Sequence, residues 1–352
     1  MKVALLGAGS VGAIIGALIT EGGEDIVLVD NYAAQVNKLN AHGVRITGHL
    51  ERSLPVKAIL PEEMEGKYDL VISTTKQATL AESLNNVLEH MHAETTVVTL
   101  QNGIPEDISK DIVGDDRVMG GGIEFGATLK EPGITELTSD ESSLGITFGQ
   151  LDGEITEKTR AVQAVFSHVG QAHITKNLLG VRYSKLTDNS TFSGMSAALG
   201  CNCGKILESH QAMKCIAHLG REAAYVIEKL GVYPEKIFGL QPLVENMDFE
   251  TEDELNDVID NYWVPLYEPY KDMKASMLQD LEKGKQCEIT AINGKFVELG
   301  KKVGIEVPFM QTVVDVVTKL QDGELKLEDA WDNLDYFDFT NSMQDKSFLT
   351  SN

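Results

Sequence analysis

The segment Gly7-Ala8-Gly9-Ser10-Val11-Gly12 constrains the fold more than any other, because an apolar run, Val3 to Leu6, enters it and a second, Ile26 to Val29, ends at Asp30. Gly7 suits a tight strand-to-helix turn, Gly9 lets backbone approach a pyrophosphate with no side chain between, and Gly12 lets the helix pack closely on its strand. Ser10 and Val11 open that helix, whose unpaired N–H groups and dipole favour negative charge. The pattern predicts a dinucleotide site of the Rossmann type, with Gly7, Gly9, Ser10, Val11 and Gly12 around the phosphates. A GxGxxG alone is weak in a chain of 32 glycines. Its force comes from strand, helix and acidic strand end falling at the required spacing, and a packing-only glycine turn is the alternative.

Asp30 refines the expectation. A carboxylate at the end of the second strand accepts hydrogen bonds from both ribose hydroxyls of NAD and repels a 2′-phosphate. Asn31, Tyr32, Ala33 and Ala34 offer no cation to hold such a phosphate, so NAD is favoured and NADP stays open. The alternative for Asp30 is that it caps the next helix.

At 352 residues the chain fits two domains, and 42% hydrophobic residues allow a core in each. The formal charge of −24 argues against nucleic acid and anionic membrane surfaces as partners. Cys201, Cys203, Cys215 and Cys287 lack a metal-ligand spacing with nearby histidines, so no metal is expected and reduced thiols are. No apolar run is long enough to span a membrane, and glycines interrupt the first hydrophobic stretch, which excludes a signal-peptide reading. A cytoplasmic location follows as the default.

Short apolar runs alternate with helical patterns through the first half. Lys2–Leu6, Asp25–Val29, Leu70–Ser73, Thr96–Leu100 and Arg117–Gly120 read as strands of a doubly wound sheet with crossover helices between them. The Thr- and Gly-rich runs at Ala127–Leu129 and Gly145–Phe148 read as antiparallel strands added at the sheet edge. Glu157–Val169 reads as a helix and His173–Thr175 as a last strand. Strand signals then nearly vanish, and Lys185–Leu199, His210–Leu230, Glu254–Asn261, Tyr270–Lys283, Thr290–Val303 and Met310–Gln321 read as helices. The expected architecture is α/β, a Rossmann domain over residues 1–176 followed by an all-α domain over 177–352 for substrate and dimerisation. The acidic stretch Glu245–Asp260 and the tail from Asp322 read as solvated or subunit-contact surface.

Two patches could carry chemistry: Lys185-Leu186-Thr187-Asp188-Asn189, and Ser276-Met277-Leu278-Gln279-Asp280 with Glu288 and Asn293-Gly294 beyond. Lys185 and Asn189 lie four apart and share a helix face. An ammonium aimed into a closed cleft protonates a carbonyl oxygen as hydride reaches the carbon. Spacing alone also fits a solvated helix face.

These words, with Gly7–Gly12, Ser73-Thr74-Thr75-Lys76 and Gln101-Asn102-Gly103, resemble the ketopantoate reductase (2-dehydropantoate 2-reductase) family over nearly the full length. The resemblance implies that Lys185 is the general acid on the keto oxygen and that Asn189 places substrate and lysine. It implies that Asn102 lies next to the nicotinamide ribose and reacting centre, and Lys76 beside the cofactor. Ser276 would contact the substrate carboxylate and Glu288 would reach the cofactor ribose and the lysine region. Three departures bear on specificity. Asp30-Asn31 stand where many members carry an Arg for the NADP phosphate, Ser193 stands where a second substrate asparagine is expected, and Met273 replaces a polar contact.

The resulting expectation is hydride transfer from NAD(P)H to C2 of a 2-oxo acid, giving an (R)-2-hydroxy acid. Ketopantoate, hence pantothenate biosynthesis, and a branched or aromatic 2-oxo acid are about even as substrate. A homodimer is the expected assembly. The rival of another class is a non-catalytic NAD-binding sensor or interaction protein on the same fold.

Overall fold

A computed structural model of the chain describes residues 1–341, with side chains through Phe337. It divides into two compact units, Met1–Leu178 and a second beginning at Leu179.

In the first unit the chain runs β1 (Lys2–Leu6), α1 (Ser10–Glu21), β2 (Asp25–Val29), α2 (Ala33–His42), β3 (Val44–Gly48), β4 (Arg52–Leu54), β5 (Ala58–Ile59), β6 (Tyr68–Ser73), α3 (Gln77–Val87) and β7 (Met91–Thr99). It continues as α4 (Glu106–Val113), β8 (Val118–Ile123), β9 (Ala127–Glu131), β10 (Ile134–Leu137), β11 (Gly145–Gln150), α5 (Glu157–Phe166) and β12 (Gln171–Ile174). The main sheet has the order β12-β11-β8-β7-β6-β1-β2-β5, parallel from β5 to β8. That is the doubly wound order expected of a dinucleotide-binding domain, with β11 antiparallel to β8 and β12 parallel to β11. Burial on both faces explains the unbroken apolar runs: Val3 and Leu5 enter one core layer with Ile14 and Ile15, while Ala4 and Leu6 enter the other with Leu80 and Leu84.

Two expectations need correction here. The stretch between β2 and β6 holds one helix and three short strands that the periodicity did not announce. Ala127–Leu129 does not lie at the edge of the main sheet; β9 joins β10, β3 and β4 in a separate sheet of order β4-β3-β10-β9. That sheet packs on α1. The physical reason lies in α1 itself, where Gly12 through Ile19 are all buried. A helix apolar all round needs cover on both sides.

The second unit is helical: α6 (Leu178–Asp188), a π turn (Asn189–Ser193), α7 (Gly194–Leu199), α8 (Cys203–Leu207), α9 (His210–Lys229), α10 (Val244–Met247), α11 (Glu252–Val258), a second π turn (Ile259–Trp263), α12 (Val264–Tyr267), α13 (Ser276–Glu282), α14 (Asn293–Val303) and α15 (Pro308–Gln321). Helix α9 is its axis, buried from Ala212 to Ala224 and packed against α8, α10, α11, α14 and α15. The expected helix at Tyr270–Lys283 starts later, at Ser276, because Glu268–Tyr270 forms a separate 3-10 turn.

The acidic stretch keeps Glu245, Glu250, Asp253, Glu254, Asp257 and Asp260 exposed while Met247, Phe249, Leu255 and Ile259 anchor it. The tail, expected as solvated or subunit-contact surface, exposes Asp322, Glu324, Glu328, Asp329, Asp332 and Asp335 but is anchored as well. Leu327–Asn341 is a 3-10 segment that buries Ala330, Asn333 and Phe337, and Asn333 Nδ2 donates to the Ala198 carbonyl at 2.8 Å. The rest of the expected tail, 342–352, lies outside the described residues.

Candidate active site

In the first unit, register alone aligns the functional turns. Leu6 pairs with Val29 and with Ser73, and Ser73 pairs with Thr99, so the loops leaving β1, β2, β6 and β7 emerge along one sheet edge. Gly7, Asp30, Thr74–Lys76 and Leu100–Gly103 lie on those loops. Open α/β sheets bind ligands at this carboxyl edge.

The glycine turn is held tightly. Gly7 has φ +91°, and a Cβ on Gly12 would stand 1.9 Å from the Gly7 carbonyl oxygen and 2.5 Å from Thr74 Oγ1. Thr74 Oγ1 donates to the Gly7 carbonyl at 2.6 Å, so the Ser73–Lys76 loop braces the turn. Buried Gln35 clasps it from the other side, donating to the Ala8 carbonyl at 2.6 Å and accepting from the Gly133 amide at 2.8 Å. Thr135 Oγ1 donates to the Ser10 carbonyl at 3.0 Å.

These residues fit a dinucleotide. No side chain caps α1, no acid stands in its first turn, and its first backbone bond runs from the Ala13 amide to the Gly9 carbonyl. The amides of Ser10, Val11 and Gly12 therefore have no acceptor within the helix and suit an anion. A Cβ at Gly9 would meet nothing within 4 Å, which leaves space beside those amides. Asp30 Oδ2 accepts from the Ala8 amide at 2.7 Å and Oδ1 from the Tyr32 amide at 2.8 Å. Each oxygen keeps a lone pair for a ribose hydroxyl. Asp30 is not the cap of α2, whose N-cap is Tyr32 with no side-chain bond.

Asn102 is half-buried and precedes Gly103, which turns the chain at φ +83°. Its neighbour Gln101 is buried and donates to Ser73 Oγ at 2.7 Å, which ties this loop to the preceding one. Lys76 is exposed at the N-cap of α3.

The second unit carries the other candidates. Between Val181 and Leu199 every residue is buried except Lys185, Asp188, Asn189 and Ser193, which keep partial exposure. Helix α6 and the π turn thus open one strip of polar side chains in an otherwise closed segment. The turn is fixed by its own hydroxyls and by α14: Thr191 Oγ1 donates to the Thr187 carbonyl at 2.9 Å and Asn293 Nδ2 to the Ser190 carbonyl at 2.8 Å. Such π turns often stand at functional sites.

On that strip Lys185 Nζ donates to Asp188 Oδ2 at 3.0 Å, and the Tyr267 hydroxyl donates to Asp188 Oδ1 at 2.5 Å. Burial, and then the Asp188 charge, hold the Tyr267 phenol well above its ordinary pKa, so it stays a donor. Tyr267 also stacks on Phe192, centroids 3.7 Å apart. The Lys185 ammonium sits 4.6 Å from the centre of the Phe238 ring. The Asn189 side-chain nitrogen is buried with no hydrogen-bond partner among the described residues. A buried orphan donor calls for an acceptor from elsewhere.

Ser276 is exposed at the first residue of α13, which packs on the π turn and α7. Glu288 is half-buried in the turn leading to α14. The carboxylate that pairs with Lys185 is Asp188. No role for that residue is expected from the sequence, although an acid three positions after a lysine on a helix is a readable pair. Tyr267, 79 residues from Asp188 in sequence, left no such sign. Neither did Gln35, Thr74 and Thr135, which brace the glycine turn.

The cysteines form no disulfide, and burial pushes the thiols of Cys201 to about 11 and Cys203 to about 12, which makes them poor nucleophiles. Among the described residues no group of three His, Cys, Asp or Glu is placed to hold a metal, and no helix is long and apolar enough to cross a membrane.

Comparison with known proteins adds the lineage. The profile described as ketopantoate reductase PanE/ApbA matches residues 3–153, and that of its C-terminal domain matches residues 177–321. The chain belongs to the ketopantoate reductase family. Among reductases of this family, the 2-dehydropantoate 2-reductase of Pyrococcus horikoshii is 28% identical over 310 residues, covering 88% of this chain and 93% of the relative. That of Archaeoglobus fulgidus is 25% identical and covers 92% and 98%. Of solved structures, a D-mandelate dehydrogenase with NADH and anilino(oxo)acetate is similar with TM-score 0.75 and 26% identity, covering 92% of this chain and 99% of that one. A PanE/ApbA family ketopantoate reductase from Ralstonia eutropha JMP134 shares the fold with TM-score 0.77 at 21% identity over 92% and 99% of the two chains.

Proposed function

We propose that this ketopantoate reductase family member is an NADH-dependent reductase of 2-oxo acids that yields (R)-2-hydroxy acids. The observation that carries the reading is the strip formed by Lys185, Asp188, Asn189 and Ser193, the only residues left partly open in a buried helical segment. Bound NADH would supply the hydride to C2. Lys185 donates the proton to the keto oxygen and stabilises the charge that develops there. Asn102 and Asn189 orient the carbonyl, and the orphan Asn189 amide supports that role by its need for an acceptor. Ser276 and Ser193 hold the carboxylate. Asp188, fixed by Tyr267, aims the lysine ammonium.

On the cofactor side the amides of Ser10 and Val11, with the space left by Gly7, Gly9 and Gly12, take the phosphates. Asp30 takes the ribose hydroxyls, and Lys76 and Glu288 complete the binding. The charge of Asp30 favours NAD over NADP. The domains assigned are a Rossmann domain to about residue 176 and a helical substrate and dimerisation domain after it, in a cytoplasmic homodimer.

The test is NADH oxidation at 340 nm with ketopantoate, 2-oxoisovalerate, 2-oxoisocaproate, phenylpyruvate and benzoylformate, repeated with NADPH. Preference for ketopantoate would place the enzyme in pantothenate synthesis; preference for a less polar acid would make it a 2-hydroxyacid dehydrogenase. Lys185→Met should lower kcat by about 10²–10⁴-fold, the range of general acid catalysis, and leave NADH affinity within about twofold. Equal loss of turnover and NADH affinity would remove Lys185 from the chemistry. No oxidation of NADH with any 2-oxo acid would favour a sensor.

A further inference from the structure

Phe238 is the one non-glycine residue with positive φ among the described residues, at +48°. Gly239 follows at +90°, and Ile237 and Leu240 exchange two backbone bonds of 2.9 and 2.7 Å across them. This is a two-residue turn with both central residues left-handed, where Asn-Gly is the favoured pair. A bulky aromatic there is strained, and strain that persists is held by its surroundings.

The surroundings are on both sides. Before the turn, the Glu235 amide donates to the Gly180 carbonyl at 3.2 Å and Ser184 Oγ donates to the Glu235 carbonyl at 2.5 Å, so α6 grips that arm. After it, the Gln241 amide donates to the Tyr262 hydroxyl at 2.9 Å, and that hydroxyl donates to the Gln241 carbonyl at 3.1 Å. The tip so held presents the Phe238 ring to Lys185, 4.6 Å from ring centre to Nζ, while the residue stays 47% exposed. An exposed apolar ring at the price of backbone strain contributes nothing to a core.

We propose that Phe238 is a specificity-determining residue: one part of its ring holds the Lys185 ammonium, and the open part forms an apolar wall for the side chain of a branched or aromatic 2-oxo acid. The inference rests on the reading of Lys185 as the proton donor. A keto oxygen in hydrogen-bond reach of Nζ puts the substrate's C3 substituent roughly 4–5 Å from that nitrogen, the distance range at which the ring stands. Aromatic faces attract cations and offer large rigid apolar area. A hydroxylated substituent gains nothing from such a wall.

The experiment uses the full chain with NADH and three forms, wild type, Phe238→Asn and Phe238→Tyr. Asn suits the left-handed position, so F238N should fold with a Tm at or above that of wild type. Rates are measured with pyruvate, 2-oxoisocaproate and phenylpyruvate, and binding of oxamate and anilino(oxo)acetate by calorimetry. In F238N, kcat/KM for the two bulky acids should fall at least about tenfold more than for pyruvate, chiefly through KM. The preference for anilino(oxo)acetate over oxamate should shrink by a similar factor, and F238Y should keep the wild-type ratios. An F238N that loses pyruvate and phenylpyruvate alike, or keeps the wild-type preference, overturns the assignment of Phe238 and leaves Lys185 standing. A wild type that neither turns over any acid nor binds either analogue overturns both.

Discussion

At the scale of single residues, the charge of Asp30 and its hydrogen bonds do separate jobs. The bonds to the Ala8 and Tyr32 amides shape the turn, whereas in the proposed function the charge is what selects between the two riboses. Asp30→Asn keeps an acceptor for one amide and removes the repulsion of a 2′-phosphate. The ratio of kcat/KM for NADH over NADPH should therefore fall by about tenfold or more, while Tm moves by only a few degrees. Steady-state kinetics with both cofactors check this, and an unchanged ratio would assign the preference elsewhere. The same separation holds at Asp188, which faces a charge on one oxygen and a neutral phenol on the other. Asp188→Asn should lower kcat by roughly tenfold, about the value of one charge-assisted bond, with the KM for NADH unchanged. Loss of NADH binding in that variant would refute a role confined to aiming Lys185.

At the scale of elements, α9 carries His218 and Glu222 one turn apart, both buried. Glu222 accepts from the Phe309 and Met310 amides at 2.8 and 2.9 Å, the first turn of α15, whose N–H groups have no partner within their own helix. Burial pushes its carboxyl up to about 8 against those bonds, and burial, then the charges of Arg221 and Lys214, push His218 down to about 3. Native Glu222 keeps a proton that the unfolded chain gives up above 4.5, so its contribution to stability falls as pH rises from there to about 8. Native His218 refuses a proton that the unfolded chain takes up below 6.5, so its contribution falls as pH drops from there to about 3. The two slopes oppose each other between 4.5 and 6.5, which puts the maximum of their joint contribution there. Glu222→Gln should lose about 1–3 kcal/mol outright, since its amide accepts only one of the two bonds, yet be flatter than wild type from pH 6.5 to 8. Urea midpoints across that range decide it; a parallel decline in both proteins would mean that another group titrates. Legibility in the sequence also follows element type. The βαβ unit declares itself through spacing, and the Lys185–Asn189 face through helical period. The small sheet does not, because its strands are short and half-polar and Ile134 pairs with Arg45 across the intervening main-sheet strands; only the uniform apolarity of α1 hinted at a second cover. Neither the π turns nor the left-handed tip at Phe238 has a sequence signature, since Phe-Gly is not a turn pair that intrinsic preference selects.

At the scale of the whole molecule, 54 acidic against 30 basic residues give a formal charge of −24, and both reactants of the proposed reaction are anions. A field of that sign opposes their approach unless local cations overcome it. Lys185 is poorly placed to do so at long range, because Asp188 neutralises it at 3.0 Å. Its charge acts only on a group already in contact, which suits a proton donor and gives no steering. Salt should therefore help this enzyme. Between 20 and 200 mM NaCl, kcat/KM for the 2-oxo acid should rise by roughly threefold through KM, with kcat steady, as the screening length falls past about 10 Å. An uncharged polymer of matched viscosity should not reproduce the rise. A fall with salt would show instead that the approach to the site is locally positive, with the exposed Lys76 of the first unit among the groups that draw the anions in.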